Sequence, residues 1–283
     1  MCRLFGALGS GPLNLESHLV GSKTSLLAQS NAYPERLQED GWGIGSYPEP
    51  GKPALVLSTG AVFDEKDRFA EAVGKASGPA IIGHIRDASN PMNLPRDKLL
   101  RIENQQPFTY KNWVFAHNGT LKLPAETLEK LGKYRKMMKG NNDSEVFFWL
   151  LLSQLEKTRS VKKALKASLD VIMDVWKAAP AGRKAEVKVP YVSLNFMLTD
   201  GKKLYAACKY DGHRPKTRDN WLIAVDPPRP LLEMCYRVSP DGRSLVVASE
   251  RTEPEGVWAP LRDGSLLEAS LSGGKVKLKI EKL

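Results

Sequence analysis

The second residue of the chain is a cysteine, and a side chain as small as that of Cys2 lets methionine aminopeptidase remove Met1, leaving cysteine as the mature N-terminus. An α-amine titrates at about 7.7 to 8.0, so near neutral pH a useful fraction of it is unprotonated and can accept the thiol proton. Nucleophile and base would then share one residue. On the dipeptide alone an inert exposed thiol is the commoner reading of Cys2. A cysteine attacking an amide needs donors for the developing oxyanion and a device that grips the substrate.

Three later motifs could supply both. Gly83-His84-Ile85-Arg86 closes an apolar run and offers the Arg86 guanidinium, whose fork suits a carboxylate. Ala116-His117-Asn118-Gly119 ends another apolar run with an amide side chain and a glycine whose N–H can approach a ligand closely, the ingredients of an oxyanion hole. Asn142-Asp143-Ser144-Glu145 opens a helical pattern, where Asp143 has ordinary N-cap chemistry. Beside Arg86 it gains a second reading: a guanidinium and a carboxylate together grip the α-carboxylate and α-ammonium of an amino acid.

The elements that would carry these groups follow from hydrophobic periodicity. RLFGALG, GWGIGSY, PALVLSTGAVF, PAIIGHIR and NWVFAHNGTL are short apolar runs bounded by Gly, Pro or Asp and read as strands. The stretch from about Asp87 to Lys111, rich in Asn, Pro and Gln, reads as a long ordered loop or an active-site lid. Asp143 to Leu155 and Val161 to Ala178 carry helical spacing, and AAPAGRKAE after them reads as an exposed loop. From Val189 onward YVSLNFML, KLYAACKY, NWLIAVD, SLVVASE and KVKLKIE form a β meander, with TDGK and PDGR as hairpin turns. Strands, then helices, then strands again favour an α+β layering over a parallel sheet, in one domain spanning 1–283.

Composition bounds the function classes. Hydrophobic residues at 42% and charged residues at 26% of 283 describe a chain that packs a core. Its longest apolar run, around Val146 to Leu152, is far short of the roughly 20 residues that cross a bilayer, and no secretory signal opens the chain, so a cytoplasmic protein with no membrane partner is expected. Cys2, Cys208 and Cys235 are odd in number and show no C-x-x-C pair, which suggests neither a disulfide framework nor zinc, and Cys208 and Cys235 read as small buried hydrophobes. His18 and His213 have no neighbours that suggest metal ligation and are assigned to structure or surface; no metal and no cofactor are expected. The net charge of +10 gathers from Lys130 to Lys139 and from Lys157 to Lys166 on helical stretches, a solvated face rather than a nucleic-acid site.

Taken in order, Met1-Cys2-Arg3-Leu4-Phe5-Gly6, Asp40-Gly41-Trp42-Gly43, His84 to Ser89, Gln106-Pro107-Phe108, His117-Asn118-Gly119 and Asp143-Ser144-Glu145 resemble the class II glutamine amidotransferases among the N-terminal-nucleophile hydrolases. The likeness runs nearly end to end with the stand-alone amidases whose relatives include the γ-glutamyl hydrolase of ergothioneine biosynthesis and a glutathione-degrading enzyme, through NFMLTDG and through VVASE followed by a tryptophan. The resemblance implies a four-layer αββα sandwich and a γ-glutamyl thioester on Cys2. It also implies that Arg86 of the H-x-R-x-A motif binds the substrate carboxylate, that Asn118 and Gly119 make the oxyanion hole, and that Asp143 holds the substrate ammonium. By the same token Gly41, Trp42 and Gly43 would pack beside the nucleophile, though Trp42 reads equally as core; Ser89 and His117 complete the expected substrate site. Neither His84 nor His117 is needed as a base, because the free amine does that work. Ser89-Asn90 stands where relatives more often carry threonine and then a varied residue leading to glycine, and the Pro91-Met92-Asn93-Leu94-Pro95 run lies where the substrate entrance is expected.

Two further readings stay open: a glutaminase subunit that passes ammonia to a separate synthase partner, and a catalytically silent scaffold that uses its basic charge to bind nucleic acid. The intact set Cys2, Arg86, Asn118 and Asp143 argues against the second.

Overall fold

The computed structural model describes residues 1–210, 221–222 and 229–283. Its strands are β1 (Arg3–Gly9), β2 (Trp42–Glu49), β3 (Lys52–Ser58), β4 (Ala80–Ile85), β5 (Phe108–Tyr110), β6 (Trp113–Leu121), β7 (Tyr191–Thr199), β8 (Lys203–Cys208), β9 (Trp221–Leu222), β10 (Arg229–Pro230), β11 (Met234–Val238), β12 (Ser244–Ala248), β13 (Ala259–Leu261), β14 (Ser265–Ser272) and β15 (Lys275–Lys282). The helices are α1 (Leu26–Gln29), α2 (Lys66–Lys75), α3 (Arg96–Leu99), α4 (Pro124–Leu128), α5 (Asp143–Thr158), α6 (Val161–Ala178) and α7 (Ala181–Val187). A seven-stranded sheet runs β13-β11-β12-β1-β4-β2-β3 and a six-stranded sheet runs β15-β14-β8-β7-β6-β5, every pairing antiparallel.

The two-residue period of each strand sorts its side chains into layers. In β1, Leu4 and Leu8 face the second sheet with Ile82 of β4, Val114 and Ala116 of β6, Met197 of β7 and Leu204 of β8. Phe5 and Ala7 face the other way, onto Phe69, Ala72 and Val73 of α2. Gly6 keeps the sheets close, since a Cβ there would meet Met197 Sδ at 3.1 Å. On the far side of the second sheet, Phe115 and Phe196 pack against Phe147 and Phe148 of α5, with α6 behind. The layers are therefore helix, sheet, sheet, helix, as an α+β sandwich.

The helices end where their chemistry dictates. Asn142 caps α5, its Oδ1 accepting from the Glu145 N–H at 2.7 Å, and Arg159 closes it in the left-handed region at φ 53. Helix α5 is buried from Asp143 through Gln154 because sheet and α6 enclose it, whereas α6 buries only the stripe Val161, Ala164, Leu165, Ser168, Ile172 and Val175.

Four expectations are corrected. The AAPAGRKAE stretch contains the exposed helix α7, its Pro180 standing just before the first turn, where a missing N–H costs nothing. The PALVLSTGAVF strand stops at Ser58. Helix α2 has no counterpart in the sequence reading, although Phe69, Ala72 and Val73 stand at helical spacing. The strands after Val189 do not form one meander: β7, β8, β14 and β15 join the six-stranded sheet, while β11, β12 and β13 extend the other. Of the NWLIAVD run only Trp221 and Leu222 are described, and His213 lies outside the described residues. No described helix is long and apolar enough to cross a membrane.

Candidate functional site

Cys2 enters the central strand of the seven-stranded sheet one residue before β1, in phase with the inward-facing Leu4. Across the sandwich Asn118 is in phase with Val114 and Ala116, so it too lies on an inner face, at the end of β6. Alternation alone thus brings nucleophile and amide to one end of the inter-sheet layer. Cys2 Sγ donates to the Asp87 carbonyl at 3.3 Å and accepts from the Asp87 N–H at 3.4 Å, which fixes the thiol against the segment that follows β4. The Met1 ammonium pairs with the Asp87 carboxylate.

Arg86 directly follows β4, and its backbone is held from both sides: its N–H donates to the Gly41 carbonyl at 2.8 Å, and its carbonyl accepts from the Asp40 N–H at 3.1 Å. Its guanidinium is buried, donating to the Leu99 carbonyl at 3.1 Å, and feels the charges of Cys2, Asp40 and Asp143. Desolvation lowers its pKa. Asp40 anchors the segment after Arg86: its carboxylate accepts from the Ala88 N–H at 2.8 Å and from Arg96 Nη2 at 3.0 Å. Asn104 ties that segment to the start of α5, with its side-chain amide donating to the Lys98 and Leu99 carbonyls and its Oδ1 accepting from the Asn141 N–H at 2.7 Å. The chain Arg86, Leu99, Asn104, Asn142 therefore sets the guanidinium next to the start of α5.

Asp143 occupies that start, but it is not the N-cap; Asn142 is. The expected capping role is corrected by one residue, and the correction frees the carboxylate. Its Oδ2 accepts from the Leu121 N–H at 2.8 Å. Burial pushes the Asp143 carboxyl up to about 6 against the pull of that bond and of Arg86, so it is mostly ionised at pH 7 and loses its charge in mild acid. Burial likewise raises the Cys2 thiol, opposed by the terminal ammonium and Arg86, and lowers the terminal amine to about 6.

At Gly119 a Cβ would strike the Ser193 carbonyl at 1.9 Å and His117 Nε2 at 2.8 Å, so only glycine fits, and a register shift between Gly119 and Leu121 breaks the ladder there. Asn118 keeps its Oδ1 buried with no hydrogen-bond partner. On the adjacent strand Asn195 is locked, its Nδ2 donating to the Leu232 carbonyl at 2.6 Å and its Oδ1 accepting from the Lys209 N–H at 2.7 Å. The unpartnered atom is an acceptor, so meeting an oxyanion requires the Asn118 amide to present its Nδ2 instead.

Two expected substrate residues face elsewhere. The Trp42 ring lies on the outer face of β2, edge-on to Phe69 at 5.1 Å, with its Nε1 donating to Glu65 at 2.8 Å and Arg68 at 5.6 Å over it. His117 points toward α5, sharing a 2.9 Å hydrogen bond with Ser144 and reaching the Ser193 carbonyl at 3.2 Å. Burial lowers His117 to about 4, so it is a neutral brace. Both are displaced from the site by the same rule: each is one residue out of phase with an inward position. Gly41 and Gly43 act through the backbone, since Cβ atoms would strike Gln105 Oε1 at 2.3 Å and the Gln106 carbonyl at 2.3 Å respectively, and their absence lets the 105–107 segment close on β2. Ser89 is half-buried in the segment after Arg86. Cys208 and Cys235 are buried thiols remote in sequence from these groups.

Sequence reasoning missed Asp40, Asp87, Asn104 and Asn195 as parts of the site. Asp40, Asp87 and Asn195 stood inside the quoted Asp40-Gly41-Trp42-Gly43, His84 to Ser89 and NFMLTDG stretches, so their signals were present; Asn104 acts through contacts that spacing does not carry. Cavity volume is no better guide: a cleft of about 540 Å³ lies at the opposite end of β1, lined by Gly9, Pro12, Leu13 and Leu271. Convergence of polar groups at Cys2 is the stronger signal. Among the described residues no cluster of three His, Cys, Asp or Glu side chains could hold a metal.

Residues 1–281 match the family described as glutamine amidotransferases, class II. An uncharacterised protein of Methanocaldococcus jannaschii is 30% identical over 76% of this chain and 52% of its own length. A probable glutamine amidotransferase of Saccharomyces cerevisiae is 27% identical over 71% of this chain and 61% of its own. The matched parts thus span only about half to three-fifths of these curated relatives. A solved glutamine aminotransferase class-II domain protein from Silicibacter pomeroyi superposes with a TM-score of 0.62 at 20% identity over 98% of both chains, a likeness of fold.

Proposed function

Because this chain belongs to the class II glutamine amidotransferases, we propose that it cleaves the γ-glutamyl amide of glutamine or of a γ-glutamyl compound through a thioester on Cys2. With Met1 removed, the Cys2 α-amine takes the thiol proton while Sγ bonds to the γ-carbonyl carbon. Asn118 and the Gly119 N–H receive the oxyanion. On collapse the carbon–nitrogen bond breaks, the leaving nitrogen takes the proton back from the α-ammonium, and water, deprotonated by the same amine, releases glutamate. Arg86 takes the substrate α-carboxylate and Asp143 the α-ammonium.

The observation that carries this reading is the gathering of three separate segments at the start of β1: Cys2 held by Asp87, with Arg86 and Asp143 within electrostatic reach of its thiol. Neutral His84 and His117, lowered by burial to about 3 and about 4, offer no competing base near pH 7. Glutamate release from glutamine by processed protein, measured by coupled assay and lost in Asn118→Ala by about 100- to 1,000-fold in kcat, is the test; normal turnover in that variant removes the oxyanion assignment. A synthase partner and a cytoplasmic setting remain part of the proposal only as the context in which released ammonia would be used.

A further inference from the structure

The two charges proposed to grip the substrate sit on segments far apart in sequence: Arg86 directly follows β4, and Asp143 opens α5. One side chain is bonded to the backbone beneath both. Asn104 is 1% exposed, and its two arms serve opposite halves. Its Nδ2 donates to the Lys98 carbonyl at 2.8 Å and to the Leu99 carbonyl at 3.2 Å, and that same Leu99 carbonyl accepts from Arg86 Nη1 at 3.1 Å. Its Oδ1 accepts from the Asn141 N–H at 2.7 Å, and its backbone carbonyl accepts from Asn142 Nδ2 at 2.9 Å. The turn over residues 139–142 is closed from the other side by Glu145. Its Oε1 accepts from the Lys139 N–H at 2.8 Å and its Oε2 from the Gly140 N–H at 2.7 Å. Gly140 permits the close approach, since a Cβ there would stand 2.2 Å from Asn104 Oδ1 and 2.8 Å from the Glu103 carbonyl.

A buried amide with donor and acceptor both engaged is a stiff link, because releasing either arm leaves a polar group unpaired away from water. We propose that Asn104 is a positioning residue of the glutamyl site: it fixes the Arg86 guanidinium and the Asp143 carboxylate at one separation, so that the site reads an α-carboxylate and an α-ammonium borne on the same carbon together rather than singly. Asn104 acts through Leu99 on the Arg86 half and through Asn141 and Asn142 on the Asp143 half. Two charged contacts give their full joint worth only when both meet the ligand in one pose; if their holders drift apart, a substrate that satisfies one misses the other. This deepens the reading given under Proposed function and rests on it.

The test measures kcat/KM on L-glutamine and on two amides that each lack one of its charges, glutaramate without the ammonium and 4-aminobutanamide without the carboxylate. Asn104→Ala is expected to raise the KM for glutamine about tenfold to a hundredfold with kcat within about threefold, and to cut the preference for glutamine over each single-charge amide at least fivefold. Loss of stability alone lowers all three substrates equally and leaves those preferences where they were. A second variant reads one half: Asn142→Ser keeps an oxygen to cap α5 and loses the bond to the Asn104 carbonyl. It should cut the preference over glutaramate about threefold while the preference over 4-aminobutanamide holds. Where Asn104→Ala fails to fold, Asn142→Ser decides alone. Unchanged preferences overturn the positioning role and leave the glutaminase reading intact, as does a fall in kcat shared by the three amides. Absence of glutamine turnover in the unsubstituted protein with a free Cys2 amine takes down the parent reading and this inference with it.

Discussion

Residues of the same motifs part company across the two faces of each strand. On the inner faces stand Cys2, His84 and Asn118; on the outer faces stand Arg3, Trp42 and His117. The inner set converges at the mouth of the layer between the sheets, where Asn118 keeps an unpaired atom. The outer set is braced by scaffold: Trp42 bonds Glu65, His117 bonds Ser144 and Ser193, and Arg3 lies against Glu250 and the backbone of residues 1 and 2. A motif residue therefore faces the inter-sheet layer or the scaffold according to its phase.

Substitutions on the two faces should separate activity from stability. The largest effect belongs to Cys2→Ala, which is expected to lower glutamine turnover by about 10⁴-fold or more with an unchanged urea midpoint. Arg86→Lys and Asp143→Asn follow, each raising KM by about tenfold to a hundredfold through loss of a charge-assisted contact, read in steady-state kinetics.

Asp143 adds a pH dependence with a definite sign. Its carboxyl titrates at about 6 in the fold, above the ordinary carboxylate range, so KM should rise about tenfold per unit as pH falls below that value. In Asp143→Asn the KM should be flat from pH 5 to pH 7. Stability runs the other way: between about pH 4 and 6 the folded chain binds the proton more readily than the unfolded one, so this group's contribution declines as pH rises through that window. Urea midpoints of the two proteins across pH 4 to 7 should converge at the acid end. The smallest effect is Trp42→Phe, which removes the bond to Glu65 and is expected to cost about 1 to 2 kcal/mol of stability, with kcat and KM within about twofold of the parent. A large kinetic loss there would break the division between faces.

The strands that carry the site were legible because each is a short apolar run with a polar end: β1, β4 and β6 fall where RLFGALG, PAIIGHIR and NWVFAHNGTL place them. Helices α5 and α6 were legible from their spacing. What escaped was long-range. Nothing local says that β11 to β13 pair with β1's sheet rather than with β8, because antiparallel partners are chosen across the core. Trp42 and His117 were placed in the site because motif order carries no phase; counting from Gly43 or Asn118 by twos would have turned them outward. The N-cap slipped by one residue because Asn142 and Asp143 are both good caps, and only the bond to the Glu145 N–H chooses between them. Asp40 and Asn104 work by bridging the segment after Arg86 to its neighbours, a role that no spacing rule encodes.

The central claim is that Cys2 is the nucleophile of a glutamyl site, and intact mass spectrometry of natively produced protein before and after 6-diazo-5-oxo-L-norleucine tests it most directly. The account predicts loss of Met1 and addition of one label, mapped to Cys2 and absent from Cys2→Ala. Processed protein that takes no label, or takes it on Cys208 or Cys235, would contradict it.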